Sequence, residues 1–212
     1  MAYSGSNKAT LKAFHTPKTF SWLRDPIRRG DEMRDKLHAD RPRIFVYMME
    51  QDDPRKCSAS LLATRGLAVR VRRMSAIRGN PIVLNPASPT FLLPSDATNA
   101  VRSGVIAIDC SWEKSGGVFM TQFPGENRKL PALMAANPVN YAKIGRLSTV
   151  EALSATLHIM GFRSQARELL SPFRWGDTFF DLNGELLSRY ARVNSEESIV
   201  KIELDYGLEK AN

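Results

Sequence analysis

The residues best placed to do chemistry follow a short apolar stretch in the middle of the chain. Gly104 opens a run of β-branched and small residues, and this run ends in Asp109, Cys110, Ser111 and Trp112. An apolar run of this length predicts a strand that is buried on both faces, as in a parallel sheet. Ligands of open α/β sheets bind at the carboxyl ends of the strands. An acid and an indole at this position therefore predict one wall of a ligand site.

Polar side chains follow two further apolar stretches in the same way. The first predicted strand, 43–49, leads through a polar loop to Ser58 at a predicted helix start, where a hydroxyl suits capping and anion binding. An ordinary strand-to-helix turn explains these residues equally well. The run 130–136 predicts another strand, which ends in the polar stretch 137–141. Ser148 and the glutamate three residues later form a capping box, which predicts the start of a helix.

The remaining apolar side chains near these strand ends predict the walls of a small-molecule pocket. Leu84 ends a predicted strand and Pro86 stiffens the loop after it, while Trp112 offers an aromatic face. Such a face suits an adenine ring or an onium cation. The glycine-rich dinucleotide loop, the Walker loop, the nucleophile elbow and the zincin pattern are not present in the sequence, so those readings have no support.

Charge predicts a polyanionic partner. The 212 residues include 30 Lys and Arg against 22 Asp and Glu, which gives a formal net charge of +8. Nucleic acid is the first expectation and an anionic membrane surface the second, although a generally basic proteome would give the same balance. Arg70 and Arg72 alternate along a predicted strand, with Arg73 beside them, as in a phosphate-binding surface. An edge strand that uses charge against aggregation is the alternative.

The two cysteines and three histidines have no metal-ligand spacing, so we expect no metal. No apolar run reaches the length of a membrane span, and the N-terminus lacks a secretory signal, which predicts a cytoplasmic protein. Length and patterning predict one α/β domain, or one domain with a tail or a split into two small lobes, and we adopt the division into two lobes. We divide the chain into a basic extension (1–42), an α/β lobe (43–104), a second lobe (105–194) and a tail (195–212).

Towards the C-terminus, the stretch 173–180 mixes aromatic residues with Arg174. It predicts either a base-stacking surface or a hydrophobic seal over the core. A last helix is predicted over 181–193, and the residues after Asn194 predict a terminal strand or an appended segment.

Five sequence stretches together resemble one known family, the small-subunit rRNA aminocarboxypropyltransferases of archaea and eukaryotes. They are Asp53-Pro54-Arg55-Lys56-Cys57-Ser58, Ile108-Asp109-Cys110-Ser111-Trp112, Ala135-Ala136-Asn137-Pro138-Val139-Asn140-Tyr141, Leu147-Ser148-Thr149-Val150-Glu151-Ala152 and Phe173-Arg174-Trp175-Gly176. The resemblance runs in order from about Ile44 to Arg192.

This resemblance implies a SPOUT-like parallel sheet with helices on both faces and a C-terminal trefoil knot. It also implies transfer of the 3-amino-3-carboxypropyl group of S-adenosylmethionine to N3 of a uridine or pseudouridine in small-subunit rRNA, with release of methylthioadenosine. The protein would act in ribosome biogenesis, as a monomer on rRNA or a pre-ribosomal particle. A SPOUT-type RNA methyltransferase and a non-catalytic rRNA-binding assembly protein are the alternatives.

The resemblance also implies which residues meet S-adenosylmethionine. Ser58 and Thr149 would contact the amino-acid tail, and the Ile108 carbonyl would contact the ribose. Leu130 and Gly145 would meet the adenine through backbone groups. Leu84, Pro86 and Trp112 would form the walls.

Two roles remain for the RNA side of the reaction. The uracil N3 proton must leave, and Asp109 is the candidate to accept it or to orient its acceptor; a structural acid that accepts backbone amides is the equal alternative. Phosphate contacts are expected from a basic set: Lys56, Arg65, Arg70, Arg72, Arg73 and Arg174.

Overall fold

The computed structural model describes residues 41–49, 57–73, 76, 78–110, 117, 119 and 123–208. The predicted extension lies almost entirely outside these residues, as do Lys56 and Trp112. None of the helices in the described ranges is long and apolar enough to cross a bilayer.

The chain forms an α/β fold around a five-stranded sheet in which every pair of neighbouring strands is parallel. The strands are β1 (Ile44–Met48), β2 (Val69–Val71), β3 (Ile82–Leu84), β4 (Val105–Asp109) and β5 (Glu126–Arg128), in the spatial order β2-β1-β4-β3-β5. The predicted parallel sheet is thus confirmed, and β4, in which four of the five residues are buried, is central. Val105 and Ile106 on β4 are fully buried.

The strand β5 has no counterpart among the sequence predictions. Its residues, Glu126, Asn127 and Arg128, are polar and carry no strand pattern. They join the sheet through the backbone, in register with β3, so that Arg128 lies opposite Leu84. Backbone pairing at the edge of a sheet does not need apolar side chains. A prediction based on runs of apolar residues therefore does not find this strand.

Six α-helices lie in the described part of the chain, and together they pack against the sheet. They are α1 (Ser58–Thr64), α2 (Ala97–Ser103), α3 (Thr149–Ile159), α4 (Arg163–Leu170), α5 (Gly176–Tyr190) and α6 (Glu196–Asp205). A short 3-10 turn, Pro94–Asp96, leads into α2.

All six helices contribute to one core, on the face of the sheet that carries Val46 and Ala107. The other face carries Phe45, Val83 and Ile106, which pack with side chains such as Phe123. The expectation of helices on both faces is therefore wrong for the described residues. The connections β1–α1–β2 and β3–α2–β4 both step in the same direction across the sheet, so right-handed crossovers place both helices on one side.

The run 130–136 is not a strand of the sheet, contrary to the prediction. Its backbone groups bond to side chains of α5 and α6 instead. The Ala132 N–H donates to Glu203 Oε1 at 2.6 Å, and Met134 exchanges two hydrogen bonds with the Asn183 amide at 2.8 and 2.9 Å. These partners satisfy buried backbone groups that a sheet would otherwise pair. The segment therefore lies outside the sheet, and Met134 forms an isolated antiparallel bridge with Ile144.

The C-terminal region also differs from the prediction. Helix α5 begins at Gly176 rather than at Asp181. A Cβ atom at Gly176 would lie 2.3 Å from the Leu170 carbonyl oxygen, so only glycine allows this close approach. The residues after Asn194 form the helix α6 and not a strand. Ser195 caps α6 by accepting from the Ser198 N–H, and Ile199 on this helix is fully buried.

Candidate active site

The carboxyl ends of the strands open into a cleft of about 850 Å³. This volume lies within the range of small-molecule sites. The ends of β3, β4 and β5 form one side of the cleft, and the connection 130–149 forms the other. Phe173 and Trp175 complete the wall, with ring centroids 5.1 Å apart.

All described residues of the predicted cofactor site lie in this cleft, together with the predicted catalytic acid. The lining includes Ser58, Leu84, Pro86, Ile108, Asp109, Leu130, Gly145 and Thr149. Residues that are far apart in sequence meet here because they follow parallel strands or begin the helices after them. Trp112 lies outside the described residues.

Asp109 is held by two side chains from two different helix starts. Its Oδ2 atom accepts from Cys57 Sγ at 2.9 Å, and its Oδ1 atom accepts from Thr149 Oγ1 at 2.8 Å. Cys57 precedes α1 and Thr149 is the first residue of α3. The central strand and two helices are thus joined at one half-buried carboxylate at the edge of the cleft.

Sequence analysis missed Cys57, and Ser58 is not the helix cap. The N-cap of α1 is Cys57, whose sulfur accepts from the Ser60 N–H at 3.3 Å, and Ser58 is the first helical residue. Burial raises the pKa of the Cys57 thiol, and its hydrogen bond to Asp109 raises it further. The thiol therefore keeps its proton at neutral pH and acts as a donor. The one feature of the sequence that could have indicated Cys57 as a site residue is its position beside Ser58, in the turn between a strand and a helix.

Gly145 offers only part of its backbone to a ligand. Its φ of +73° is favourable for glycine, and its N–H donates to the Leu133 carbonyl at 2.9 Å. Any adenine contact at this position must therefore use the Gly145 carbonyl oxygen. Leu130 lines the cleft nearby.

A buried glutamate shapes the wall formed by the connection 130–149. The predicted capping box of Ser148 and Glu151 is confirmed, and Glu151 also accepts from the Ala136 N–H at 2.6 Å. Its carboxylate accepts from the backbone N–H and the side-chain amide of Asn137 at 3.0 and 2.7 Å. One fully buried side chain therefore closes both ends of the loop between these residues.

The described members of the predicted RNA-binding set are all exposed, and none of them lines the cleft: Arg65, Arg70, Arg72, Arg73 and Arg174. Helix α1 begins beside the cleft, so Arg65, just after its last residue, lies towards the opposite edge of the sheet. Arg70 and Arg72 belong to the outermost strand and its end. Phe173 and Trp175 pack partly buried against the core, and Arg174 between them points outward.

Comparison with known proteins places the chain among proteins of ribosome formation. A family model described as "Ribosome biogenesis protein, C-terminal" matches residues 82–207. The "16S rRNA aminocarboxypropyltransferase" of Vulcanisaeta distributa is 40% identical over 174 residues, which cover 80% of this chain and 94% of the relative. The protein of the same name from Halobacterium salinarum is 43% identical over 163 residues, covering 77% and 95%.

A solved structure shows the same similarity. It is described as the structure of the SAM-dependent rRNA:acp-transferase Tsr3 from Vulcanisaeta distributa. It superimposes with a TM-score of 0.71 at 39% identity and covers 79% of this chain and 94% of that one.

Proposed function

The chain belongs to the 16S rRNA aminocarboxypropyltransferase family, and on this premise we propose that it transfers the 3-amino-3-carboxypropyl group of S-adenosylmethionine to N3 of a uridine or pseudouridine in small-subunit rRNA. One observation of the structure carries the proposal: the described residues that the family resemblance assigns to S-adenosylmethionine line a single cleft at the carboxyl edge of the sheet.

The cleft has the size and chemistry that S-adenosylmethionine requires. Leu84, Pro86 and Leu130 supply apolar surface for the adenine and the sulfonium methyl group. We propose that Ser58 and Thr149 hold the amino-acid tail, that the Ile108 carbonyl meets the ribose, and that Leu130 and the Gly145 carbonyl meet the adenine.

When bound, S-adenosylmethionine supplies the electrophilic carbon of the aminocarboxypropyl group. The chain must hold this carbon within reach of N3 in near-attack geometry, which a rigid pocket provides. Burial of the sulfonium methyl group against the apolar walls would leave the aminocarboxypropyl side facing the RNA. Cleft shape, rather than a change of chemistry, would thus separate this transfer from methylation.

We propose that Asp109 receives the hydrogen bond of the uracil N3–H and removes or directs its proton. Cys57 and Thr149 each occupy one lone pair of the carboxylate, and each oxygen keeps a second. The two donors fix the direction in which the remaining lone pairs point. The competing role, a purely structural acid, uses the same two contacts.

The first experiment incubates the protein with unmodified small-subunit rRNA and S-adenosylmethionine labelled in its carboxyl carbon. Label in the RNA together with released methylthioadenosine establishes aminocarboxypropyl transfer. Released S-adenosylhomocysteine with no label in the RNA identifies a methyltransferase, and rRNA binding without either product identifies an assembly protein.

The variant Asp109→Asn separates the two roles of the acid. A proton-handling Asp109 predicts a loss of about 10²- to 10⁴-fold in single-turnover rate, with dissociation constants for S-adenosylmethionine and rRNA near wild type. A structural Asp109 predicts a lower melting temperature and weaker S-adenosylmethionine binding, with transfer restored at saturating concentrations. Wild-type rates at subsaturating concentrations would exclude both roles.

We further propose that the protein works as a cytoplasmic monomer on small-subunit rRNA or a pre-ribosomal particle, with the arginine set and Lys56 on phosphates. Both cysteines are free thiols, which suits a reducing compartment. Light scattering during gel filtration measures the monomer mass directly.

The finer fold assignment is also a proposal. Lobes 43–104 and 105–194 would meet at β4, and the C-terminal part would carry the trefoil knot. Both parts contribute to the cleft, the first through Ser58 and Leu84 and the second through Ile108 and Thr149. Mechanical unfolding by the two chain ends tests the knot, since a knotted chain extends less than its contour length.

A further inference from the structure

The loop that follows Asn137 exposes apolar side chains at the mouth of the cleft. Val139 is 83% exposed, Tyr141 is 57% exposed and Ile144 is 36% exposed. We call these three side chains the apolar platform. Val139 itself lines the cleft, and so do Asn140 and Gly145 of the same loop. The apolar platform is therefore continuous with the candidate active site.

The backbone holds the apolar platform in place. Asn137 accepts from the Asn140 N–H through both its carbonyl and its Oδ1, and the Lys143 N–H donates to the Asn140 carbonyl at 2.9 Å. Ala142, beside Tyr141 at the tip of this turn, has a φ of +60° and donates its N–H to the Ala135 carbonyl. These bonds keep the three side chains turned to solvent instead of letting the loop collapse onto the core.

The same loop is positively charged. Lys143 and Arg146 are exposed and line the cleft, and residues 137–147 contain no acidic residue. Cations interleaved with an exposed aromatic ring suit a single-stranded nucleic acid, because the cations bind phosphates and the ring stacks on a base. Charge and position together favour RNA as the occupant.

We propose that the apolar platform stacks on an unpaired base of the rRNA adjacent to the modified nucleotide, while Lys143 and Arg146 hold the neighbouring phosphates. This inference rests on the proposed function. N3 lies on the pairing edge of uracil, so the target nucleotide must be unpaired when it enters the cleft. A base stacked on Tyr141 beside the mouth of the cleft would keep the RNA unpaired there. The next nucleotide could then enter the candidate active site.

The test compares Tyr141→Ala and Tyr141→Phe on protein-free, unmodified small-subunit rRNA, with filter binding and transfer from labelled S-adenosylmethionine measured on the same samples. Loss of one stacked base predicts an rRNA dissociation constant about five- to hundredfold higher for Tyr141→Ala. Tyr141→Phe keeps the ring and should bind within about twofold of wild type. The dissociation constant for S-adenosylmethionine should not change in either variant.

Leu204→Ala serves as the matched control, because Leu204 is 60% exposed and lies on α6, outside the cleft lining. Wild-type rRNA binding by Tyr141→Ala, an equal loss in Tyr141→Phe, or an equal loss in Leu204→Ala would each overturn the stacking proposal. A wild-type protein that binds rRNA through Tyr141 but transfers no label would instead refute the proposed function and leave the stacking intact.

Discussion

At the scale of single residues, the site depends on side chains that join elements rather than on isolated functional groups. Asp109 bridges Cys57 and Thr149, and Glu151 closes the loop between Ala136 and Ser148. Each acid organises several donors that the strand-end topology brings together. The orientation of the cleft lining therefore depends on two carboxylates.

The Cys57 thiol should titrate above its ordinary value of 9.0. In the variant Cys110→Ser, where Cys57 is the remaining thiol, the rate of iodoacetamide alkylation should rise with an apparent pKa above this value. The folded state binds the thiol proton more tightly than the unfolded state, so this contribution to stability is complete below about pH 9 and falls as the pH rises through the folded pKa.

Asp109→Asn in the same Cys110→Ser background provides the comparison, because it removes the carboxylate that helps to raise the pKa. Its alkylation profile should move towards lower pH. An unchanged profile would show that the contact between Cys57 and Asp109 does not act on the thiol in solution.

Glu151→Gln should strongly destabilise the protein. The carboxylate is fully buried and accepts from Ala136, Asn137 and Ser148, while glutamine would turn an amide donor towards those donors. Loss of one or two buried hydrogen bonds predicts a decrease of roughly 2–4 kcal/mol in the free energy of unfolding. Urea unfolding measures it, and a decrease below about 0.5 kcal/mol would contradict the buried arrangement.

At the scale of elements, the C-terminal helices form the support of the cleft wall. Helix α5 holds Met134 through Asn183, and α6 holds Ala132 through Glu203. Residues 130–136 lie outside the sheet, so these side chains support the segment together with the bridge between Met134 and Ile144. Helices that contribute no predicted site residue therefore support the wall of the cleft.

Asn183→Leu tests this support. The side chain of Asn183 is fully buried, and its loss leaves the N–H and carbonyl of Met134 without partners, which predicts a decrease of roughly 2–5 kcal/mol in the free energy of unfolding. Because Met134 precedes the cleft-lining loop, the affinity for S-adenosylmethionine should fall as well. Calorimetric binding and urea unfolding measure the two effects.

Gly184→Ala is the matched control on the same helix. A methyl group at Gly184 meets no atom within 4 Å, and alanine favours the helix by about 0.5–1 kcal/mol. Ligand affinity should stay at the wild-type value. A loss of affinity in both variants would mean that α5 affects the site by some route other than Asn183.

At the scale of the whole molecule, the net charge of +8 predicts strongly salt-dependent rRNA binding. Each phosphate contact on single-stranded RNA contributes about 0.7 to the slope of log K against log salt concentration. The double variant Arg70→Ala/Arg72→Ala should therefore lower the magnitude of this slope by about 1.4. Tyr141→Ala should lower the affinity without changing the slope, because stacking releases no counterions.

Filter binding between 50 and about 300 mM salt measures the slopes. An unchanged slope in the arginine variant would show that Arg70 and Arg72 do not contact phosphates. Binding of S-adenosylmethionine should be the same as in wild type, since neither arginine lines the cleft.

The sequence alone determined the parallel sheet, the central strand that ends in Asp109, the capping box at Ser148 and, through its family resemblance, several of the residues that line the cleft. These features follow from local patterns. The apolar run of β4 needs burial on both faces, and a hydroxyl with a glutamate three residues later satisfies the first turn of a helix wherever it occurs.

Only the tertiary structure decided the features that depend on distant partners. The run 130–136 is apolar like a strand, but Asn183, some 49 residues from Met134, pairs its backbone. Strand β5 is polar and joins the sheet by backbone pairing, and Cys57 becomes a site residue because Asp109, 52 residues away, accepts a hydrogen bond from its thiol. In each case the partner is a group that lies far away in the sequence. The residue types around each position do not indicate such a partner, so these contacts become visible only when the chain is folded.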